Sequence, residues 1–231
     1  MAKSKSKSHE RFVVTEIDRI ETLISEHNII GQTGVINFNY AGFQSVVISK
    51  DIIGNTIQDW FGQWLISKGL VWRMGAHSQS WPDFILSDGS HLEVKTFDSS
   101  AGPNFDLANF DAFIRSLWEG NVARLDTPHL VFSYLSNPDN GVITINDFWV
   151  KNMWELTGPS QKNILSLQVK QNQPVNIRPK NWRSSNVSLF SNRQEFVFAL
   201  SLVVDRYRSR EFPNWYQAVE SEYIRRFNCP L

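Results

Sequence analysis

Apolar residues between Thr15 and His27 fall at Ile17, Ile20, Leu23 and Ile24. Spacings of three and four put them on one face of a helix, and Thr15 with Asp18 reads as a capping box that starts it. The same period returns from Asp51 to Ser67, where Ile53, Ile57, Trp60, Phe61, Trp64 and Leu65 form the predicted buried stripe. Gly69 closes that helix, because glycine tolerates the left-handed backbone of a helix end. Between them the pattern is shorter: Val35–Asn39 and Gln44–Ser49 flank Tyr40-Ala41-Gly42 and read as paired strands. Leu70–Met74 is a further short strand, and Phe84–Leu86 and His91–Phe97, separated by Ser87-Asp88-Gly89-Ser90, carry a hairpin signal. A helix is predicted over Leu107–Trp118. Strands are predicted over His129–Leu135 and Val142–Ile145, across the turn Asn137-Pro138-Asp139-Asn140-Gly141. Leu165–Val169 and Val175–Ile177 add short strands, and Asn192–Arg206 and Asn214–Arg226 closing helices. No repeat and no linker interrupts this order. The pattern implies an α/β (α+β) fold, a central mixed sheet of about five strands flanked by helices.

At 231 residues and 42% hydrophobic, the chain has the material for one domain with a proper core. Met1 to Ser8, where Lys3, Lys5 and Lys7 alternate with serines, is set aside as a disordered basic tail, leaving residues 9–231 as a single domain. That tail lacks the apolar stretch of a signal peptide, and no apolar run is long enough to span a bilayer. The single cysteine, Cys229, has no partner for an internal disulfide, so a reducing, cytoplasmic setting is expected.

Net charge is zero, which argues only weakly against nucleic acid. The distribution says more: residues 1–120 carry ten Lys/Arg against fourteen Asp/Glu, and residues 121–231 thirteen against nine. Between Glu155 and Glu195 there is no acid, but Lys162, Lys170, Arg178, Lys180, Arg183 and Arg193 are present. A charge run by itself is more often a solvated surface. Next to an acidic metal site it becomes a nucleic-acid footprint.

Such a site is written in Trp81-Pro82-Asp83-Phe84 followed by Glu93-Val94-Lys95. Two apart on a strand, Glu93 and Lys95 leave the same face, while Leu92, Val94 and Thr96 take the other. The hairpin brings Asp83 towards them. Two converging carboxylates with few other ligands suit Mg²⁺, which keeps several waters and takes substrate phosphate; the Val94 carbonyl is a further candidate ligand. Such a centre hydrolyses a phosphodiester, with Lys95 orienting or deprotonating the attacking water and stabilising developing charge. Its charged side chains are read as solvent-facing. The bland alternative is an exposed strand with alternating charges and a turn aspartate after Pro82.

The same residues resemble the motif of the PD-(D/E)xK nuclease superfamily, and their surroundings resemble the EcoRV-like type II restriction endonucleases. The likeness is carried by Trp81-Pro82-Asp83-Phe84-Ile85-Leu86, by the spacing from Gly69 to Asp83, by Phe110-Asp111-Ala112-Phe113-Ile114-Arg115 and by Ser191-Asn192-Arg193-Gln194-Glu195-Phe196. It runs patchily over about residues 29–208. The resemblance implies a restriction-endonuclease-like domain, with a catalytic core over about residues 51–150 and a DNA-recognition region over about 160–191. It makes Asp83 and Glu93 the metal ligands, Lys95 the catalytic lysine and Mg²⁺ the cofactor. It further implies double-stranded DNA with a short, palindromic site and a homodimer, since two cuts need two sites. The dimer surface is placed on the first helix and the 35–49 hairpin. A cognate DNA methyltransferase would belong to the same system without binding the enzyme, in a bacterial or archaeal cytoplasm.

The family often adds an acid from the preceding helix. Here Gln58 stands where glutamate is expected, with Asp59 next to it, so Asp59 is a candidate third ligand or an ordinary solvated residue. The expected recognition loop holds Arg178, Lys180, Asn181, Arg183, Ser184, Ser185 and Asn186. Arginine pairs with guanine and asparagine with adenine, but the same cations also grip phosphates. Trp182 is expected to pack that loop down. Asn109 and Arg115 form a second candidate DNA contact, with Phe110 and Phe113 beside them read as core.

The leading reading is thus an Mg²⁺-dependent, sequence-specific DNA endonuclease. A structure-specific or repair endonuclease on the same core is the first alternative. A catalytically inactive DNA-binding protein is the second, and the intact Asp83, Glu93 and Lys95 count against it. A plain globular protein with a chance hairpin is the third, disfavoured by the basic segment that follows.

Overall fold

A computed structural model describes residues 15–75, 81–161 and 163–231. The basic segment expected over Met1–Ser8, and Lys162 of the acid-free stretch, lie outside the described residues.

Helix α1 (Glu16–Glu26) starts where its capping box predicts: the Asp18 N–H donates to Thr15 Oγ1 (3.2 Å) and the Thr15 N–H to Asp18 Oδ2 (2.8 Å). Strand β1 (Thr33–Val35) follows, then a ribbon of β2 (Asn37–Tyr40) and β3 (Phe43–Val46), whose turn has Ala41 at φ 51° and Gly42 at φ 78°. The predicted strand Val35–Asn39 is therefore two strands: Val35 belongs to the main sheet and Asn37 onward to the ribbon. Helix α2 (Lys50–Ser67) buries Ile53, Ile57, Phe61 and Leu65. Trp60 departs from the predicted stripe and is 42% exposed, because it sits one position off the line that the four buried residues follow. Gly69 takes the expected positive φ, 69°.

Then come β4 (Val71–Met74), β5 (Phe84–Leu86), β6 (His91–Asp98), β7 (Ala108–Asn109), α3 (Phe110–Trp118), a 3-10 turn (Val122–Asp126), β8 (His129–Ser136) and β9 (Val142–Lys151). The chain closes with α4 (Met153–Leu156), β10 (Leu167–Lys170), β11 (Gln173–Ile177), α5 (Arg193–Arg208) and α6 (Trp215–Phe227). The helix predicted from Leu107 begins only at Phe110. Asn109 caps it, its Oδ1 accepting the Ala112 N–H at 3.0 Å, and Ala108–Asn109 pair with Asn176–Ile177 as strand. Asparagine favours such a cap because its side chain competes for free backbone N–H groups.

The main sheet has six strands rather than about five, in the order β1-β9-β8-β6-β5-β4; β1, with no alternating apolar pattern of its own, is the added edge. The β6–β8 pair is parallel and the others antiparallel, so the sheet is mixed as predicted. Alternation along β6 and β8 feeds two cores. Leu92 and Val94, with Leu130, Phe132 and Tyr134, pack with α1 and α2. Phe97 and Val131 pack on the opposite side with α3, α5 and α6. Helix α2 lies tight on the sheet because it has glycines there: a Cβ on Gly54 would meet Thr96 Oγ1 at 2.6 Å, and one on Gly62 would meet Phe84 at 2.7 Å.

Candidate active site

The hairpin that carries the charged residues is fixed at its tip. Asp88 Oδ1 accepts from the Ser90 N–H (2.9 Å) and Oγ (2.6 Å), and Gly89 takes φ 85°. At its open end Asp83 precedes β5, its carbonyl accepting the Gly75 N–H at 2.7 Å. Its carboxylate crosses to β6, where Oδ2 accepts the Val94 N–H at 2.8 Å. Glu93 and Lys95 project from the same face, as the period of a strand requires. The Lys95 ammonium lies 2.9 Å from Glu93 Oε2 and 3.7 Å from Asp83 Oδ2. Thus the three residues singled out in the sequence meet at one point. They are not solvent-facing as expected: Asp83 and Glu93 are each only 8% exposed, because the hairpin end lies under neighbouring elements rather than on an open sheet edge.

Burial controls the electrostatics. Desolvation pushes the Asp83 pKa up, and the Glu93 charge adds to this against the opposing effects of Lys95 and the Val94 N–H. Burial works against the Lys95 ammonium too, but Glu93 and then Asp83 outweigh it and hold its pKa above the ordinary value. The site therefore keeps one positive charge between two carboxylates.

Two residues that no sequence signal marked complete the surroundings. His129 stands opposite Glu93 in the parallel register and is 1% exposed. Its Nδ1 lies 3.1 Å from the Thr127 carbonyl, so Nδ1 carries the proton and the buried Nε2 is a bare lone pair without a partner. Burial, then the nearby Lys95 charge, lowers its pKa to about 3, and the ring is neutral at ordinary pH. Arg124, on the 3-10 turn before β8, is half-buried, and desolvation lowers its pKa while the Glu93 charge opposes the shift. A lone histidine and a lone arginine in a sequence have no spacing to read; only the β6–β8 pairing brings them here.

Several features fit a divalent cation. The Glu93 Oε1 atom is buried with no hydrogen-bond partner, and the two carboxylates already draw the Lys95 ammonium between them. Among the described residues no cluster of three or more His, Cys, Asp or Glu is poised for a metal, so two carboxylates with water and substrate oxygens could supply the shell. Val94 gives its N–H to Asp83 and buries its side chain on the α2 side. Asp59 is exposed; it lines a cleft of about 260 Å³ with Asn55, Gln58 and Asp83. Gln58 rather than Asp59 bears on Asp83, its side-chain amide lowering the pKa of the carboxyl group.

The basic segment is placed beside this centre. Trp182 packs edge-on against Phe97 (5.8 Å) and Trp149 (5.7 Å), as expected of a residue that seats a loop. Phe97 lies on the same face of β6 as Glu93 and Lys95, so the loop covers β6 just beyond Lys95. The Arg183 guanidinium lies 5.0 Å from the Phe97 ring, and its Nε donates to Asn181 Oδ1 at 3.3 Å. Arg178 is held by Asp106 and Asn104. The Lys180 N–H donates to the Leu156 carbonyl at 2.8 Å. Ser184 turns the chain, with its N–H on the Asn181 carbonyl (2.9 Å), and Ser185 and Asn186 are exposed. Arg193 of the same segment pairs with Asp126. In the second candidate contact, Asn109 is the cap of α3, and Arg115 is exposed, 3.4 Å from Glu211. Phe110 and Phe113 are core, as read.

Comparison with known proteins gives the same picture. The family model described as NgoBV restriction endonuclease matches residues 13–231. The type II restriction enzyme NlaIV of Neisseria lactamica is 34% identical over 191 residues, covering 80% of this chain and 78% of its own length. The type II restriction enzyme NgoBV of Neisseria gonorrhoeae is 33% identical over 141 residues, 59% of this chain and 79% of the relative. Among solved structures, the NlaIV restriction endonuclease superposes with a TM-score of 0.84 at 30% identity, covering 95% of this chain and 92% of that one.

Proposed function

Because this chain belongs to the NgoBV restriction endonuclease family and is a type II restriction endonuclease of the PD-(D/E)xK type, we propose that it cuts double-stranded DNA at a short palindromic site, as an Mg²⁺-dependent homodimer whose centre is Asp83, Glu93 and Lys95. The observation that carries this reading is the burial of two carboxylates around one ammonium at the open end of the β5–β6 hairpin.

In this reading Asp83 and Glu93 hold the divalent cation that the family implies, with the Val94 carbonyl as a further oxygen; Asp59, from α2, is the candidate for an additional one. Bound there, the cation would neutralise phosphate charge and make water more acidic. The Val94 N–H fixes the rotamer of Asp83, so one carboxylate oxygen is committed to the backbone and the other left to the site. With positive charge held by Asp83 and Glu93, Lys95 would no longer be their counter-ion. Its ammonium then orients the attacking water and stabilises the charge that develops on the phosphate oxygens. His129, neutral and buried, adds no competing positive charge behind it.

Recognition is assigned to the region of about residues 160–191 on a catalytic core of about 51–150, within one domain over 9–231. Arg178, Lys180, Asn181, Arg183, Ser184, Ser185 and Asn186 would face the DNA there, with Asn109 and Arg115 as backbone contacts. The dimer reading gains support from the β2–β3 ribbon, where Phe38, Tyr40 and Phe43 are 58%, 73% and 74% exposed, a large apolar face for one chain to leave in water. Among the described residues no helix is long and apolar enough to cross a membrane. The setting is the cytoplasm of a bacterium or archaeon, beside a cognate methyltransferase.

The test is incubation of long bacteriophage DNA with the purified protein in Mg²⁺, with Lys95→Ala alongside. Discrete fragments from the wild type alone support the proposal, and their ends give the site. A smear would favour a structure-directed nuclease; fragments from Lys95→Ala as well would remove the centre from Lys95.

A further inference from the structure

Arg124 stands on the 3-10 turn that leads through Thr127 and Pro128 into β8. Its guanidinium lies 5.1 Å from the Trp81 ring and 5.0 Å from the Phe113 ring. Trp81 and the turn itself tie it to the centre. Trp81 is two residues before Asp83 and meets His91, the first residue of β6, edge-on at 4.8 Å. The Pro128 carbonyl accepts the Glu93 N–H at 3.0 Å. The guanidinium is therefore held at the rim of the Asp83–Glu93–Lys95 site by two aromatic rings.

It has no anion of its own. Among the described residues no carboxylate lies within 4.0 Å of it, and its Nε is buried without a hydrogen-bond partner. The acid on its own turn, Asp126, is taken by Arg193 and by the Tyr223 hydroxyl. Glu93 is engaged by Lys95 at 2.9 Å. A half-buried cation without a counter-ion is costly, and arginine does not escape by losing its proton. Aromatic rings offset part of that cost and fix the plane of the guanidinium. What remains unmet is a planar, bidentate demand for oxygen anions, which a phosphodiester satisfies.

We propose that Arg124 is a substrate-binding residue that grips a backbone phosphate of the cut strand next to the scissile one, and so registers the strand in the active site. This rests on the reading of Asp83, Glu93 and Lys95 as the centre. The alternative is that Arg124 only braces the Trp81-Pro82-Asp83 turn.

The experiment uses duplexes carrying the mapped site, with one phosphate at a time near the cut replaced by an uncharged methylphosphonate. Wild type, Arg124→Lys and Arg124→Met are compared in single-turnover cleavage with Mg²⁺ and in duplex binding with Ca²⁺. Arg124→Met is expected to slow cleavage at least about tenfold and to lower the salt slope of binding by about one per protomer. One methylphosphonate position should weaken the wild type and leave Arg124→Met unaffected, with Arg124→Lys in between because it keeps the charge and loses the fork. If every position costs wild type and Arg124→Met the same factor, or the salt slope is unchanged, Arg124 is a brace and the proposal fails. Should Arg124→Met not fold by circular dichroism, the comparison rests on Arg124→Lys. Wild-type activity in Lys95→Ala would instead point to failure of the underlying assignment of the centre.

Discussion

The hairpin from Asp83 to Lys95 and the acid-free segment from residue 156 to 194 are both marked by charge, yet the fold treats them in opposite ways. In the hairpin, charges are buried together and left incompletely satisfied: Glu93 Oε1 has no partner, nor has Nε2 of the neutral His129 beside it on β8. In the basic segment, some cations that look unpaired in the sequence find partners elsewhere. Arg178 pairs with Asp106 and Arg193 with Asp126, acids that lie outside the segment, and Arg183 stacks over Phe97. The difference teaches that a run without acids is not a free positive surface. Arg193 Nε and Trp182 Nε1 are buried without a partner there as well, so what sets the hairpin apart is an unpartnered carboxylate oxygen, Glu93 Oε1, which an incoming metal would meet.

The sharpest way to break this contrast is Lys95→Ala. Cleavage should fall at least about a thousandfold, since the variant loses both water orientation and charge stabilisation. Two buried carboxylates are then left without a counter-cation, so stability should also fall, by about 3 kcal/mol in urea unfolding without metal. The pH dependence has a definite sign. Desolvation already raises the folded pKa of Asp83 above its ordinary 3.8, so the folded state takes up a proton before the unfolded one does. Lowering the pH towards that raised pKa should therefore restore part of the lost stability, a trend that chemical unfolding at several pH values would check. A stable variant at neutral pH would show that the carboxylates are hydrated after all.

Trp182→Ala probes the other region. The indole packs against Phe97, Phe105 and Trp149, so its removal should cost about 3 kcal/mol. Because Phe97 shares a strand face with Lys95, cleavage should drop more than stability alone explains when compared under fully folded conditions. The effect of His129 shows only at low pH. Its folded pKa of about 3 lies below the ordinary 6.5, so the unfolded state binds the proton first. Its contribution is intact above about pH 6.5 and erodes as pH falls towards 3, by up to about 1.4 kcal/mol per pH unit. The difference between wild type and His129→Gln in metal-free unfolding should follow that slope; parallel curves would mean that the imidazole is not desolvated. Smallest is Arg178→Ala, where loss of a partly exposed pair with Asp106 should cost about 1 kcal/mol or less. Ca²⁺-supported DNA binding then sharpens the comparison: uniform weakening across sequences marks a phosphate contact, and relaxed preference at one position marks base readout.

Much of the frame was legible because it depends on local rules. The capping box of Thr15, the positive φ of Gly69 and the turn at Ser87–Ser90 are decided by residues within a few positions of each other. The convergence of Asp83, Glu93 and Lys95 was legible for the same reason, since a short hairpin and a period of two leave little freedom. Where competing local signals met, the pattern misled. Apolar residues from Leu107 suggested helix, but Asn109 claimed the cap and Ala108 was drawn into the strand pair with β11. Trp60 looked like core, because hydrophobicity alone does not say where the edge of a helix face falls.

Taken alone, then, the sequence determined the helices with strong periodicity, the mixed α/β class, and the trio of charged residues that one hairpin holds together. Tertiary structure alone decided the sixth strand, the burial of the two carboxylates, the pairing of the basic segment with distant acids, and the arrival of His129 and Arg124 beside Glu93. The reason is range. Backbone sterics and side-chain alternation act over a few residues and can be read in order along the chain. Desolvation and ion pairing depend on which atoms meet across the parallel β6–β8 junction, and no spacing in the sequence encodes that meeting.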